Sequence, residues 1–231
     1  MITPPSSEFL EAVRAYPKET KEVCWEDITT VCTVYHESNK VARYVNIMRD
    51  YLNAIPEIDG SQIDINLSWG PSKNEDRFCI DGQQWWTLAL CEGHIKLLKK
   101  YRSQVPFLMT EDDTVPAYGL LPRFQVPVGA EGVYLGNTSY DPHLIQYTDQ
   151  YSVCWHLLCS HAMLFLSTDW VDGCIEALEE NMQNEKLVCD LVYASIQPYF
   201  RVFCLNEPMF FQLSPSTQVM TQQKANVKYD I

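Results

Sequence analysis

The hydrophobic pattern changes character twice along the 231-residue chain, and this restricts the fold more than any other feature of the sequence. Before residue 103, short alternating runs and helical spacings follow one another. Residues 103–149 are broken by Pro and Gly, and the apolar runs after residue 150 are longer. This order predicts an α+β fold with an N-terminal mixed or antiparallel sheet and flanking helices. The same order predicts an irregular Pro/Gly-rich middle and a helical C-terminal third that ends in a strand.

The N-terminal part contains several elements with clear local signals. Ser6 and Ser7 are candidate N-caps of a first helix, and Ser38 is a candidate N-cap of a second one. β-Branched residues favour strands, and Asp81-Gly82 is typical of a hairpin turn. We therefore predict strands at 28–35, 63–69, 77–80 and 83–90, and a helix at 95–101.

The C-terminal part reads as mainly helical. Residues 151–166 are apolar nearly all round, which predicts a central buried helix. Ser167 and Asn184 are candidate caps of two further helices, the second of which is stopped by Pro198. Short strands are predicted at 123–128, 132–135 and 199–205. We expect one globular domain over 1–213, with a candidate subdomain boundary near 103–149, and a flexible polar tail over 214–231.

Acidic residues are concentrated in the second half of the chain. The formal net charge is −13; residues 1–102 carry 12 basic and 15 acidic side chains, whereas residues 103–231 carry 5 and 15. A protein that binds the nucleic-acid backbone gains its affinity from Lys and Arg, so this balance argues against direct backbone binding. No apolar run reaches the roughly 18–20 residues of a membrane span. We expect instead a protein partner of basic character.

The nine cysteines indicate a reducing compartment. Their number is odd, their spacing is wide and the N-terminus lacks the pattern of a signal peptide. We therefore predict a cytoplasmic or nuclear protein without disulfides, in which most cysteines are small core residues. No nucleotide-binding motif is present, and we predict no cofactor.

Four residues with metal-binding or nucleophilic side chains lie within eight positions: Cys154, His156, Cys159 and His161. On one helix they would point to different sides and could not surround one ion, so we predict no metal site there. A thiol nucleophile would need a His and an orienting group brought close by the fold. The sequence leaves open whether these residues belong to the core or to a site.

Two further groups are candidate binding residues. Glu111, Asp112 and Asp113 form the only run of three carboxylates, which fits either a solvated loop tip or a group that holds a hard cation or acts in acid/base chemistry. Trp85 and Trp86 are adjacent, so on a strand their rings would point to opposite faces, and one exposed ring would be an interface candidate.

The composition favours a non-enzymatic binding module, such as an accessory or immunity protein or a host-directed antagonist, that inhibits a basic partner by docking on it. Its acidic docking residues would include Asp172, Glu176, Glu179 and Glu180. An enzyme with an unfamiliar Cys/His site is the alternative, and it requires His156 or His161 to line a cleft beside a thiol or carboxylate. A structural subunit of an assembly is a third hypothesis.

Overall fold

A mixed eight-stranded sheet runs through the fold. The computed structural model describes residues 3–34, 50–55, 62–67, 85–111, 114–137, 142–184, 187–213, 220–221 and 229. Within these residues the strands of the sheet follow the order β3-β2-β4-β10-β7-β11-β9-β8, and helices pack beside them, which confirms the predicted α+β class. Strands β10 and β9 run antiparallel to their neighbours, whereas β2 pairs in parallel with both β3 and β4.

The strands have the following bounds: β1 Thr20–Cys24, β2 Thr29–Val34, β3 Ile63–Leu67, β4 Phe107–Glu111, β5 Thr114–Pro116, β6 Arg123–Pro127, β7 Gly132–Tyr134, β8 His143–Gln146, β9 Tyr151–His156, β10 Ala162–Phe165, β11 Val202–Leu205, β12 Phe210–Leu213 and β13 Met220–Thr221. Strands β1 and β6 form a separate pair, and β13-β12-β5 form a small third sheet. The predicted strands at 28–35, 63–69, 123–128, 132–135 and 199–205 are thereby confirmed with slightly different ends.

Four α-helices lie wholly within the described residues: α1 Ser7–Arg14, α2 Trp85–Tyr101, α3 Thr168–Gln183 and α4 Cys189–Ile196. The caps Ser6 and Ser167 are confirmed, because the Ser6 hydroxyl accepts from Phe9 N–H and the Ser167 hydroxyl accepts from Trp170 N–H. Ser38 lies outside the described residues. The prediction for Asn184 is wrong. This residue ends α3, and α4 begins at Cys189 after Val188 without a side-chain cap among the described residues.

Two hydrophobic cores lie on the two faces of the sheet. One contains apolar side chains of α2, α3 and α4, including Leu98, Cys174 and Tyr193. The other is covered by α1, the chain around Trp25 and strand β6. Along β11, Phe203 belongs to the second core and Cys204 to the first, as the period-2 alternation of a strand requires.

The predicted buried helix over 151–166 is wrong: this stretch forms β9 and β10. All four residues of β10 are buried, but Ala162 and Leu164 contact one core while Met163 and Phe165 contact the other. A strand buried on both faces has no polar alternation, so its sequence resembles that of a buried helix. The all-round apolar pattern is therefore explained by two cores.

The predicted strand over 83–90 is also wrong where it is described, because α2 begins at Trp85. Leu88, Cys91, His94, Leu98 and Tyr101 are buried at spacings of three and four, which is the period of a helix facing a core. This burial outweighs the local alternation of Trp85–Leu90. The predicted strand at 77–80 and turn at 81–82 lie outside the described residues, as does most of the helix predicted after Ser38, of which 50–54 are helical.

Chain from the predicted tail also pairs with the fold. Strand β13 pairs with β12, and Tyr229 forms a bridge with Ile145 of β8. The Tyr229 hydroxyl lies 2.9 Å from His143 Nδ1. The other residues of 214–231 lie outside the described part of the chain, and the domain boundaries stay predictions.

Candidate functional site

The candidate site lies where β2, β3 and β4 end. The chain passes from β2 to β3 on one side and then returns through α2 to β4 on the other side of β2. This reversal is a topological switch point, and in open α/β sheets such points open a crevice at the carboxyl ends of the strands where ligands bind. Glu111 is the last residue of β4 and therefore lies at this crevice.

The Glu111 carboxylate is held by two hydrogen bonds from other elements. Ser160 Oγ donates to Glu111 Oε1 at 2.5 Å, and Gln212 Nε2 donates to Oε2 at 3.4 Å. Thr114 fixes the backbone, since its hydroxyl accepts from Glu111 N–H and donates to the carbonyl of His161. The carboxylate is thus orientated by β5, β12 and the chain before β10, and a fixed carboxylate suits ligand binding or catalysis.

Asp190 supplies a second carboxyl group from the first turn of α4. Burial raises the pKa of Asp190, and hydrogen bonds from Ser160 and Cys189 lower it by less. Ser160 therefore contacts both Glu111 and Asp190. Because of this burial, Asp190 retains its proton to higher pH than an exposed aspartate, which is a property of catalytic acids.

A cavity of about 290 Å³ opens beside these groups. Its polar lining includes Glu111, Ser160 and Asp190, while Leu158, Val188 and Leu191 form an apolar side. Val188 is 42% exposed, so this apolar side reaches the surface. The cleft can therefore receive a ligand with a polar group at the carboxylates and an apolar or ring surface at α4.

Cys159 and His161 form the inner wall of the same cleft. Cys159 Sγ lies 3.1 Å from His161 Nδ1 and donates to the carbonyl of Gly136 at 3.2 Å. Both side chains are almost inaccessible, and burial lowers the pKa of His161 to about 4. The pair meets the geometric condition of a His beside a thiol at a cleft, but its burial suits a neutral structural pair better than a nucleophile.

The other two residues of this sequence cluster lie elsewhere. Cys154 is fully buried in β9, and burial raises its pKa well above that of an exposed thiol. His156 lies at the end of β9, opposite His143 of β8. The structure thus brings together Cys159 and His161 only, and within the described residues no three His, Cys, Asp or Glu side chains converge as metal ligands.

The predicted acidic docking residues lie on α3, and two of them are bound by basic side chains of α2 and of the turn that follows it. Arg102 Nη2 donates to Asp172 Oδ2 at 2.6 Å, and Lys99 Nζ lies 2.5 Å from Glu179 Oε1. The hydrogen bonding from Arg102 lowers the pKa of Asp172. Glu176 and Glu180 are exposed. The basic cluster of α2 therefore neutralises part of the acidic helix.

Four other predicted site residues lie at the edges of the described chain. Trp85 and Trp86 form the first turn of α2, and their side chains lie outside the described part. Asp112 and Asp113, which follow Glu111 in the sequence, lie outside it too. Sequence reasoning found Glu111 but missed Ser160, Asp190 and Gln212, because these come from distant segments without a local motif.

Comparisons with known proteins give structural neighbours only. The sequence matches no family model and no curated protein. The crystal structure of A197 from STIV aligns with a TM-score of 0.39 and 12% identity over 87% of this chain and 97% of that chain. The PaToxG glycosyltransferase aligns with a TM-score of 0.37 and 9% identity over 81% and 74%. At these scores neither likeness supports an argument about function.

No described helix is both long and apolar enough to cross a bilayer.

The raised pKa of Asp190 makes a testable prediction. The folded state favours the neutral carboxyl of Asp190. The stability that this neutral carboxyl contributes is fully present below the unfolded pKa of 3.8 and is lost as pH rises through the folded pKa. We expect Asp190→Asn to gain stability relative to the wild type as pH rises from 4 to about 8. Urea denaturation at several pH values measures this, with the exposed Asp149→Asn as the matched control. An unchanged difference across the range would contradict the burial of this carboxyl.

Proposed function

We propose that the protein is an enzyme that acts with a divalent cation on a phosphate-bearing substrate. The proposed site is the cavity beside Glu111 at the end of β4, called the β4 cleft below. The observation that carries this proposal is the position of Glu111. Its carboxylate lies at a switch point of the sheet, is orientated by Ser160, and faces a cavity shared with Asp190. The proposal places the chemistry at the carboxylates rather than at the Cys/His pair.

The cation is inferred from the carboxylate run. Glu111 is followed in the sequence by Asp112 and Asp113, and carboxylate oxygens are the ligands that Mg²⁺ prefers. Mg²⁺ is usually held by one or two carboxylates together with phosphates of the substrate, so a complete protein cage is not required. This proposal departs from the sequence expectation of no cofactor, because Glu111, the first residue of the run, ends β4 at the switch point of the sheet.

The phosphate is inferred from the helix N-terminus at the cleft. Helix α4 begins at the cavity with Val188 and Asp190 in its wall. Backbone N–H groups at a helix N-terminus carry partial positive charge and favour anions. A cation at Glu111 would add to this attraction. Asp190, whose pKa is raised, would hold a proton next to a bound phosphate oxygen, while Ser160 keeps Glu111 in place.

Isothermal titration calorimetry with MnCl₂ and inorganic pyrophosphate tests the proposal. We expect pyrophosphate to bind only when Mn²⁺ is present, because the cation links it to the carboxylates. Glu111→Gln should weaken Mn²⁺ binding at least about tenfold, which corresponds to about 1.4 kcal/mol. Glu176→Gln makes the same chemical change at an exposed position of α3 and should have no effect on Mn²⁺ binding. Equal binding by both variants would refute the proposed site.

Docking on a basic partner is the second candidate function, that of an accessory or inhibitory protein. It is favoured by the exposure of Asp169, Glu176 and Glu180 on α3, next to the paired Asp172 and Glu179. Such charges would act chiefly by steering association, which weakens as salt screens them. The hypothesis of a structural subunit stays a prediction, which a measurement of the oligomeric state would test.

A reducing compartment, cytoplasmic or nuclear, is likewise a proposal. The seven cysteines whose side chains the structure describes are all free thiols, and six of them are buried. Free buried thiols are typical of proteins from compartments in which disulfides do not persist.

A further inference from the structure

A second concave surface lies across the sheet from α3. This groove, with a volume of about 590 Å³, has Leu121, Phe124 and Met209 among its apolar lining residues and Asp149 and Glu207 among its acidic ones. Its residues Tyr151 and Leu205 belong to the core that faces away from α2, α3 and α4. The groove is therefore separate from the acidic residues of α3.

The apolar wall of the groove is rigid. Trp25 is 1% exposed, its ring centroid lies 4.7 Å from that of Phe124, and its indole N–H donates to the carbonyl of Leu121 at 2.9 Å. Leu121 is nevertheless 73% exposed, and Tyr118 nearby in the chain is 83% exposed. Large apolar side chains held out at the rim of a preformed groove are a feature of docking surfaces.

Two acidic residues also line the groove. Asp149 and Glu207 are exposed, and the Asn206 amide donates to the carbonyls of Thr148 and Asp149, which ties the two acidic segments together. The groove also contains Arg123, but its guanidinium is paired with Glu22 at 3.0 Å. The groove thus combines apolar lining residues with two acidic ones, and this charge is complementary to a basic partner.

We propose that this groove docks a polypeptide segment in which a Lys or Arg lies beside a large apolar side chain. The apolar side chain packs between Leu121 and Met209, and the cation contacts Asp149 and Glu207. The inference rests on the second candidate function and changes its location from α3 to the opposite face of the sheet. It does not depend on chemistry at the β4 cleft.

Selection from a phage library of random dodecapeptides on the immobilised full chain tests this inference. We expect enriched peptides to combine Lys or Arg with a neighbouring Leu, Phe or Trp. The strongest peptide is then synthesised with a fluorescent label, and its affinity is measured by anisotropy at low and high salt. Binding should weaken as salt rises, because part of the affinity is electrostatic.

Matched variants locate the bound peptide. Leu121→Ser and the double variant Asp149→Asn/Glu207→Gln should each weaken binding at least about tenfold. The double variant Glu176→Gln/Glu180→Gln removes the same charge on α3 and should change affinity less than about twofold. Circular dichroism confirms that each variant is folded.

Failure of the groove proposal can be told apart from failure of docking through α3 and from failure of the cation site. If the α3 variant loses affinity and the groove variants do not, the groove is wrong and docking through α3 stands. If no basic–apolar peptide is enriched, the groove is wrong, whereas docking of a folded basic partner through α3 is not affected. Neither result bears on the binding of Mn²⁺ at Glu111.

Discussion

A Gly136→Ala variant is expected to lose about 3 kcal/mol of folding free energy, the upper part of the range for overpacked interiors. A Cβ atom at this position would lie 2.1 Å from Nε2 and 2.7 Å from Cδ2 of His161, which is 1% exposed. The ring cannot rotate away cheaply, because its Nδ1 lies 3.1 Å from Cys159 Sγ. For a chain of this length the melting temperature should fall by about 10 °C.

A double-mutant cycle shows whether this contact is the cause. In the His161→Ala background the space of the imidazole is vacant, so adding a methyl group at Gly136 should be nearly neutral or stabilising. The coupling energy should then exceed about 2 kcal/mol. Equal destabilisation by Gly136→Ala in both backgrounds would show that backbone strain, rather than the wall of the cleft, accounts for the loss.

Mild acid is expected to destabilise the fold by about 4 kcal/mol between pH 7 and pH 5 through two buried histidines. Burial lowers the pKa of His94 and of His161 from 6.5 to about 4. The folded state therefore favours the neutral ring. The stability this provides is fully present above pH 6.5 and is lost as pH falls towards 4, at about 2 kcal/mol per ring by pH 5.

Urea denaturation at pH 7, 6 and 5 measures this loss. His94→Asn keeps a polar side chain near the Tyr193 hydroxyl, which lies 2.8 Å from His94 Nδ1, but does not titrate. We expect this variant to be less stable at pH 7 and to lose about half as much stability on acidification as the wild type. Asp190 acts in the opposite direction, so the comparison of slopes between variant and wild type isolates the histidine. Parallel slopes would contradict the account.

Local signals in the sequence predicted the elements whose ends are set by local chemistry. The helices capped by Ser6 and Ser167 are examples, since a cap side chain bonds to backbone three residues away. The strands of the C-terminal third could not be separated from a helix, because Cys154 and Leu164 are buried in different cores and no polar alternation remains. Only the burial of these strands on both faces, which the structure shows, distinguishes them from a buried helix.

The candidate site was predictable in part only. Glu111 stood out in a run of three carboxylates, and His161 in a cluster of Cys and His. Their proximity to Ser160, Asp190 and Gln212 depends on how β4, β10, α4 and β12 meet, which no local pattern encodes. The pairing of Asp172 with Arg102 was equally nonlocal, and it reduces the charge that the sequence assigned to an acidic face.

Paramagnetic broadening by Mn²⁺ in amide NMR spectra of the full chain tests the central claim most directly, because it reports where the cation binds. The account predicts that the signals of Glu111, Ser160 and Asp190 broaden first and that Glu111→Gln removes this broadening. It predicts little change around Glu176 and Glu180 of α3. Broadening centred on α3, or unchanged broadening in Glu111→Gln, would contradict a cation site at the end of β4.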